Sequence, residues 1–175
     1  MYRNFSSFKD LKTERLLLRR PRIEDRDTIF FMRTDPSVNT YIQRVAPSSI
    51  EEVDTFIKDR IQDREEGKSI YYALALKESP NQYIGAITLW NFSEDRKTAE
   101  VGYDLYPDYQ GKGYMSEAMT AILDFGFHTL DLAKIEAYTH HDNKASRNLL
   151  ARHGFTLTQK KDADIPSNLV YQKVV

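Results

Sequence analysis

The chain has 175 residues, a formal net charge of −1 from 25 basic and 26 acidic residues, and no cysteine. We expect one domain, residues 1–175, that buries roughly 70% of the surface its unfolded form exposes. The balanced charge argues against a bulk nucleic-acid partner, and the lack of cysteine excludes disulfides, thiolate metal ligands and a cysteine nucleophile. No window approaches the ~18 apolar residues of a membrane span and no secretory leader is recognisable, so a cytoplasmic location is expected.

The first half of the chain predicts a strand, two helices and a strand hairpin. Residues 15–20 are predicted as a short strand, which Pro21 ends before a helical stretch over residues 24–33. Asp35-Pro36 starts a short helical turn, and residues 47–49 begin a helix whose apolar side chains recur at helical spacing until Gly67. Strands at residues 70–77 and 83–92 follow, joined by a hairpin turn at residues 79–81. The basic run over residues 15–22 fits an amphipathic edge strand better than an RNA-binding patch.

The second half predicts three more strands around two helices, after the strand that begins at Thr98. A helix over residues 114–130 carries a methionine-rich apolar stripe, which is more typical of a core than of a cofactor surface. A strand at 134–139, a helix that starts near Asp142-Asn143 and ends at Gly154, and strands at 155–160 and 169–174 complete the chain. No repeat or linker interrupts this order, so the pattern indicates a single α/β domain in which antiparallel strands feed one crossover helix.

The most informative segment is TAEVGYDLYPDYQGKGYMSE at residues 98–117, where an alternating strand runs into a glycine-rich turn that opens a helix. Gly111 and Gly113 permit positive φ or a close approach of the backbone to a ligand. The first N–H groups of the following helix have no intrahelical partner, and they lie at the positive end of the helix dipole. The segment therefore predicts a binding site for phosphate or pyrophosphate.

This segment resembles the signature of the GNAT superfamily of acetyl-CoA-dependent N-acetyltransferases, which is Gln or Arg, two residues, Gly, one residue, then Gly or Ala. Its positions are occupied by Gln110, Gly113 and Met115. Met115 departs from it because it is bulkier than the usual small residue. The run QGKGYMSEAM resembles the RimJ/RimL-type branch, which acetylates protein N-terminal amines.

Two further segments carry the same resemblance, so that it covers almost the whole chain. Residues 13–19, TERLLLR, are similar to the first strand of that branch. The end of the chain resembles the ending of the GNAT fold at Asn143, Ser146, Leu149 and the pair Gly154-Phe155.

The resemblance implies a central, mixed and mostly antiparallel twisted sheet of about seven strands, flanked by helices and splayed at a bulge beside the cofactor site. It implies acetyl-CoA as co-substrate, a primary amine as acceptor and no metal. The implied cofactor-binding residues are Tyr103, Asp104, Leu105, Gln110, Gly111, Lys112, Gly113, Tyr114, Met115, Ser116 and Asn143. The first three would offer main-chain groups to the pantetheine arm and the thioester oxygen, and Pro107 is consistent with the end of regular strand pairing there.

Three of these implied cofactor-binding residues have more than one candidate role. Gln110 either braces the turn or reaches a phosphate oxygen, and Lys112 is secondary to the backbone amides. Asn143 either caps its helix or binds the pantetheine arm, and the two roles are compatible.

The resemblance implies Glu100 as general base and Ser146 as the group that protonates the leaving thiolate. A serine within a helix is more often a local hydrogen-bonding group, so that role of Ser146 stays open. Glu100 could equally be a structural carboxylate, and it shares a strand face with Asp104 unless a bulge intervenes. Many GNAT proteins place a tyrosine acid where this chain has Leu150. Tyr138 and Tyr109 are outside candidates for the same role.

The identity of the amine sets how much base catalysis is needed. Deprotonating a lysine of pKa ~10.4 at pH 7 costs roughly 4.6 kcal/mol, whereas an α-amine near ~7.8 costs about 1 kcal/mol. A single modest carboxylate or a chain of water molecules therefore suffices for an N-terminal amine.

Three other functions are alternatives to acetyl transfer to a protein N-terminus. Gly111, Gly113 and Ser116 only partly mimic a dinucleotide fingerprint, because its third glycine is missing. Because Leu150 stands where many GNAT proteins have a tyrosine acid, a non-catalytic acyl-CoA sensor is the second alternative. Acetylation of a polyamine, amino sugar or amino acid is the enzymatic alternative.

The sequence predicts the acceptor site in less detail than the cofactor-binding loop. Aromatic residues that could line an acceptor cleft are Tyr41, Tyr71, Tyr72 and Trp90, although aromatic residues near paired strands are more often core or cross-strand packing. Specificity is expected in residues 34–50 and 91–97. Adjacent His140 and His141 should point to opposite faces of a strand, so with Asp142 they are not expected to bind a metal. Pairing of strand edges would give a homodimer.

Overall fold

A computed structural model describes residues 4–175, which contain one eight-stranded sheet in the order β1-β2-β3-β4-β5-β6-β8-β7. The strands are β1 Leu11–Lys12, β2 Leu16–Arg19, β3 Ile70–Leu76, β4 Gly85–Trp90, β5 Thr98–Leu105, β6 Lys134–His140, β7 Thr156–Lys161 and β8 Asn168–Val174. β5 and β6 pair in parallel, and the other neighbours pair antiparallel. The parallel pair requires a crossover, which α3 provides.

The helices divide between the two faces of the sheet. They are α1 Arg26–Thr34, α2 Ile50–Glu65, α3 Tyr114–Asp124 and α4 Lys144–Arg152, and a π-helical turn over Phe125–Thr129 continues α3. Apolar residues of α1 and α2 pack against Ala73 and Ala86 on one face. α3 and α4 contribute to the larger core on the other face, where Met119 and Leu150 are fully buried.

The seven predicted strands are all present, and β1 is the additional one. The helix expected over residues 114–130 is confirmed as α3 with its π-helical turn. The expectation of an edge strand at residues 15–22 is wrong, because β2 lies between β1 and β3. In the part of the chain described here, no helix is both long enough and apolar enough to cross a membrane.

β5 and β6 run side by side over only three residues and then separate. Thr98, Ala99 and Glu100 pair with Lys134–Glu136, whereas β6 continues to pair with β8 as far as His140. β5 stays paired with β4 as far as Leu105, with no shift of register. The expected splay is therefore present, but it arises because β6 turns away rather than from a bulge between β4 and β5.

Arg19 and Asp25 form a buried ion pair that ties β2 to the turn before α1. Arg19 Nη1 and Nη2 donate to the two carboxylate oxygens at 2.8 and 2.7 Å, and both side chains are 1% exposed. The Arg19 guanidinium also donates to the carbonyls of Pro80 and Arg20, and Asp25 accepts from the Arg22 N–H. The pair is thus fully hydrogen-bonded, as a buried pair must be to persist.

We expect Asp25→Ala to lower the free energy of unfolding by about 3–5 kcal/mol, because Arg19 would keep a buried charge without its counter-ion. Urea unfolding followed by circular dichroism measures this change. Arg26→Gln, which breaks an exposed ion pair with Asp54, is the matched control and should cost less than about 1 kcal/mol. Equal losses in the two variants would contradict the structural role of the buried pair.

Candidate active site

The glycine-rich turn has the geometry of an anion-binding loop. Gly111 and Gly113 have φ of 72° and 82°, a conformation that favours glycine. Gly113 is the residue before α3, and no side chain caps the helix there. The N–H groups of Tyr114, Met115 and Ser116 therefore start the helix without intrahelical acceptors, as the sequence predicts.

Side chains around the turn brace it from outside. Gln110 Nε2 donates to the Leu105 carbonyl at 2.8 Å, so of its two predicted roles the structure contains the bracing one. Lys112 is exposed, and its Nζ donates to the Asp108 carbonyl at 2.7 Å. Arg15 donates to the Lys112 carbonyl at 3.0 Å. The sequence interpretation missed Arg15, because its partner lies about a hundred positions away and no local pattern marks it.

The side chains of the first helical turn point into packing contacts. Ser116 Oγ lies 2.9 Å from His153 Nε2 at the end of α4. The Arg15 guanidinium stacks 4.3 Å from the centre of the Tyr114 ring. Met115 is half-buried against the main core, which accounts for a bulky residue at the departure from the family signature. The backbone of this turn is left as the ligand-facing part.

A cavity of about 1030 Å³ connects one sheet face with the gap between β5 and β6. Glu100 and Asp104 of β5 line it, as do Asn143 at the start of α4 and Ser146 within it. Of the expected specificity segments, residues 34–50 contribute Tyr41–Arg44 as lining residues, and residues 91–97 contribute Asn91. The loop after β7, residues 162–165, also lines the cavity and was not foreseen from the sequence.

Glu100 is a carboxyl group tuned to titrate near neutrality. Burial raises its pKa to about 7, and the nearby carboxylates of Asp162 and Glu136 add to the shift. A hydrogen bond from Asn91 at 3.5 Å and the charge of Lys160 oppose it. A group with this pKa can accept a proton at neutral pH and release it again.

Asp104 shares the cavity-facing side of β5 with Glu100, as expected for a strand without a bulge. Its Oδ2 accepts from Arg44 Nη1 at 2.8 Å, while its Oδ1 is buried without a partner among residues 4–175. Arg44 also donates to Asn39 Oδ1 and to the Met32 carbonyl. The Asp104 side chain thus anchors the segment that follows α1, a role that the sequence interpretation did not contain.

Tyr103 and Ser146 form a hydroxyl pair that links β5 to α4. Their oxygens lie 2.6 Å apart. Burial raises the pKa of Tyr103 to about 12, so its hydroxyl stays protonated at neutral pH. Asn143 caps α4 by accepting from the Ser146 N–H at 3.0 Å, which confirms one of its two predicted roles.

The other candidates for the general acid are placed less favourably. Leu150 is fully buried in the main core. Tyr138 lines the cavity, but its hydroxyl donates to Glu136 at 3.2 Å. Tyr109 lies beside the glycine-rich turn, with its ring near those of Tyr106 and Tyr114.

Three of the four predicted cleft aromatics line the cavity, namely Tyr41, Tyr71 and Trp90. The prediction for Tyr72 is wrong. Since adjacent residues of β3 face opposite ways, Tyr72 packs in the main core, and its hydroxyl donates to the Lys9 carbonyl at 3.1 Å.

The expectation that His140 and His141 point to opposite faces is also wrong. β6 ends at His140, and the two rings stack with centroids 4.4 Å apart. Ligand atoms of these residues and of Asp142 lie within 4.8 Å of one another. Hydrogen bonds from the Asp142 N–H to His140 Nδ1 and between His141 Nδ1 and Asp142 Oδ1 hold the turn together.

Comparison with known proteins agrees with this arrangement. A family model described as an acetyltransferase (GNAT) domain matches residues 15–156. The uncharacterized N-acetyltransferase p20 of Bacillus licheniformis is 33% identical over 141 residues, 80% of this chain and 78% of that protein. The ribosomal-protein-serine acetyltransferase of Escherichia coli (strain K12) is 31% identical over 77 residues, 44% of this chain and 43% of that protein.

A crystal structure of a GNAT-family acetyltransferase from Bacillus anthracis superposes with a TM-score of 0.79 at 25% identity, covering 94% of this chain and 98% of that one. The glycine-rich turn, the uncapped start of α3 and the gap beside β5 fit a CoA thioester. The chain therefore belongs to the GNAT family of acetyltransferases, resembles its RimJ/RimL-type branch, and uses acetyl-CoA as acetyl donor.

Proposed function

We propose that this acetyltransferase acts on the α-amine of a protein N-terminus by direct attack within a ternary complex. The observation that carries the proposal is Glu100, a cavity-lining carboxyl group with a pKa of about 7. An α-amine of pKa ~7.8 needs only such a modest base at neutral pH. The name of the Escherichia coli relative supports this acceptor class, and the lack of cysteine favours direct transfer over a cysteine-bound acetyl group.

The bound co-substrate supplies an activated acetyl group, and main-chain groups of the protein hold it. The N–H groups of residues 113–116 bind the pyrophosphate at the start of α3. Main-chain groups of Tyr103 face the gap and bind the pantetheine arm and the thioester oxygen, whereas Asp104, predicted for the same role, turns its main-chain groups toward β4, where it pairs with Ala86. Leu105 contributes less, because its carbonyl already accepts from Gln110. The Asn143 side chain caps α4 through Oδ1, which leaves its Nδ2 group to donate to the pantetheine arm.

Two hydroxyl groups serve the departing thiolate. Ser146 donates its proton toward the sulfur, and Tyr103 donates to Ser146 Oγ. Because Tyr103 stays neutral, the pair presents donors rather than a repelling negative charge. This pair fills the role that Leu150 leaves open.

The cavity lining also bears on the alternative functions. Glu100 and Ser146 both line the cavity, which favours turnover over a non-catalytic sensor. A small-molecule amine is the second candidate acceptor, because the cavity has room for one. A single domain is proposed since all described strands belong to one sheet. The cytoplasmic location and the homodimer stay predictions.

We expect Glu100→Gln to lower kcat/KM by about 100-fold or more at neutral pH. In the natural protein, the rate should rise with pH through about 7 as Glu100 loses its proton. The acceptor should have a weakly basic amine that is neutral at every pH measured. The rise of the rate with pH then reports on Glu100 and not on titration of the substrate. The measurement is CoA release against pH, with Glu78→Gln, an exposed change in the turn between β3 and β4, as matched control.

The change of Tm with pH in Glu100→Gln distinguishes a loss of catalysis from damage to the fold. Between the ordinary pKa of 4.5 and about 7, the folded state keeps a proton that the unfolded state releases, so Glu100 lowers stability as the pH rises through this window. Glu100→Gln should therefore raise Tm above pH 7 and change it little in acid. An unchanged pH limb in this stable variant would remove Glu100 as base.

For the hydroxyl pair, we expect Ser146→Ala and Tyr103→Phe each to lower kcat by about tenfold, because the two groups act through one hydrogen bond. The double variant should be little worse than Ser146→Ala alone. Steady-state CoA release, with calorimetric measurement of acetyl-CoA affinity, gives the double-mutant cycle. Fully additive losses would show that the two hydroxyls act independently.

A further inference from the structure

Arg33, in the last turn of α1, is a cation in the cavity wall that lacks a counter-ion. It lines the cavity, and its Cζ atom lies 4.4 Å from the centre of the Phe56 ring on α2. Among residues 4–175 its guanidinium forms no hydrogen bond and no ion pair. Desolvation and the charge of Arg44 lower the pKa of Arg33, so the surroundings penalise this charge rather than neutralise it.

The neighbouring carboxylates are already engaged by other cations. Asp104 pairs with Arg44 at 2.8 Å, and Asp63 pairs with Arg60 at 2.8 Å. Each of these pairs is neutral as a unit. Arg33 is therefore an excess positive charge at this end of the cavity.

A second buried donor without a partner lies at the same end. Arg60 Nε forms no hydrogen bond among the described residues, and Arg60 lines the cavity. The Arg60 guanidinium contacts the same Phe56 ring, at 5.1 Å. A buried polar group without a partner is costly, and both guanidinium groups can donate. Two guanidinium groups beside one ring are suited to the oxygen atoms of an anion.

Strand register relates this end of the cavity to the catalytic end. Phe56 packs edge-on against Tyr71 of β3 with ring centroids 5.7 Å apart. Tyr71 pairs with Thr88 of β4, which pairs with Gly102 of β5, two residues from Glu100. Since neighbouring strands lie about 4.8 Å apart, Tyr71 is roughly 10 Å from β5, and Phe56 connects Tyr71 to Arg33.

We propose that the acceptor carries an anionic group, a carboxylate or a phosphate, roughly 10 Å from its reacting amine, and that Arg33 binds this group. The inference rests on the proposed function, because Glu100 locates the amine. In an extended peptide, which rises about 3.4 Å per residue, the anion belongs to the third residue. An acidic side chain, a C-terminal carboxylate and a small phosphorylated amine all offer this chemistry.

The test compares two acceptors that differ in one charge. kcat/KM is measured for the amidated tripeptides Ser-Ala-Glu and Ser-Ala-Gln with the natural protein, Arg33→Gln and Arg33→Lys. The natural protein should prefer the acidic peptide by about 10- to 100-fold, because hydrogen bonds to charged groups are strong. Arg33→Gln should abolish the preference and Arg33→Lys should keep part of it. Arg26→Gln, an exposed change on the same helix, should retain it fully.

Further acceptors identify the source of the anion. Ser-Ala-Gln with a free C-terminus tests a terminal carboxylate, and an aminoalkyl phosphate of matching length tests a small molecule. Equal kcat/KM for the acidic and neutral tripeptides, or a preference that survives Arg33→Gln, would overturn the inference.

A binding measurement separates failure of this inference from failure of the proposed function. The acetylated forms of both tripeptides are titrated calorimetrically into the protein saturated with CoA. Tighter binding of the acidic peptide that Arg33→Gln removes upholds the anion site even if no peptide is turned over, an outcome that would reject peptides as acceptors. Equal affinities, or no binding of either peptide, overturn the anion site if Arg33→Gln also leaves the affinity for the aminoalkyl phosphate unchanged.

Discussion

The separation of β5 from β6 is the constraint on which the rest of the site depends. After three paired residues, β6 continues with β8 while β5 continues with β4, and no strand formed by residues 4–175 pairs with the β6-facing side of β5 beyond Glu100. Buried N–H and C=O groups are almost always hydrogen-bonded, so such an edge inside a fold calls for a ligand that can take the place of a strand. A pantetheine arm, with its two amide groups, is suited to that position.

β5 also delivers side chains to both sides of the gap because its residues alternate in direction. Tyr103 points toward α4 and meets Ser146, whereas Glu100 and Asp104 line the opposite sheet face. Deprotonation of the attacking amine and protonation of the departing thiolate can thus be served from opposite sides of a single strand. Asp104 connects this strand to Arg44, so the segment that covers the acceptor cavity is fastened to the strand that bears the chemistry.

Local patterns were sufficient to predict β2 to β8, the helices, the glycine-rich turn and the cap at Asn143, because each depends on residues close together in the sequence; β1, only two residues long, was not predicted. Features set by distant contacts could not be predicted. Arg44 and Asp104 are 60 positions apart, and nothing near Arg33 indicates that its guanidinium lacks a counter-ion. The error at Tyr72 came from grouping aromatic residues by type, although strand alternation separates Tyr71 from its neighbour.

Hydrogen exchange of backbone amides, measured with and without CoA, tests the central claim most directly. If the gap holds the pantetheine arm, binding should slow exchange in residues 101–105 and 113–116. β4, whose residues are already paired on both sides, should be unchanged. Binding of CoA without protection of residues 101–105 would contradict the account.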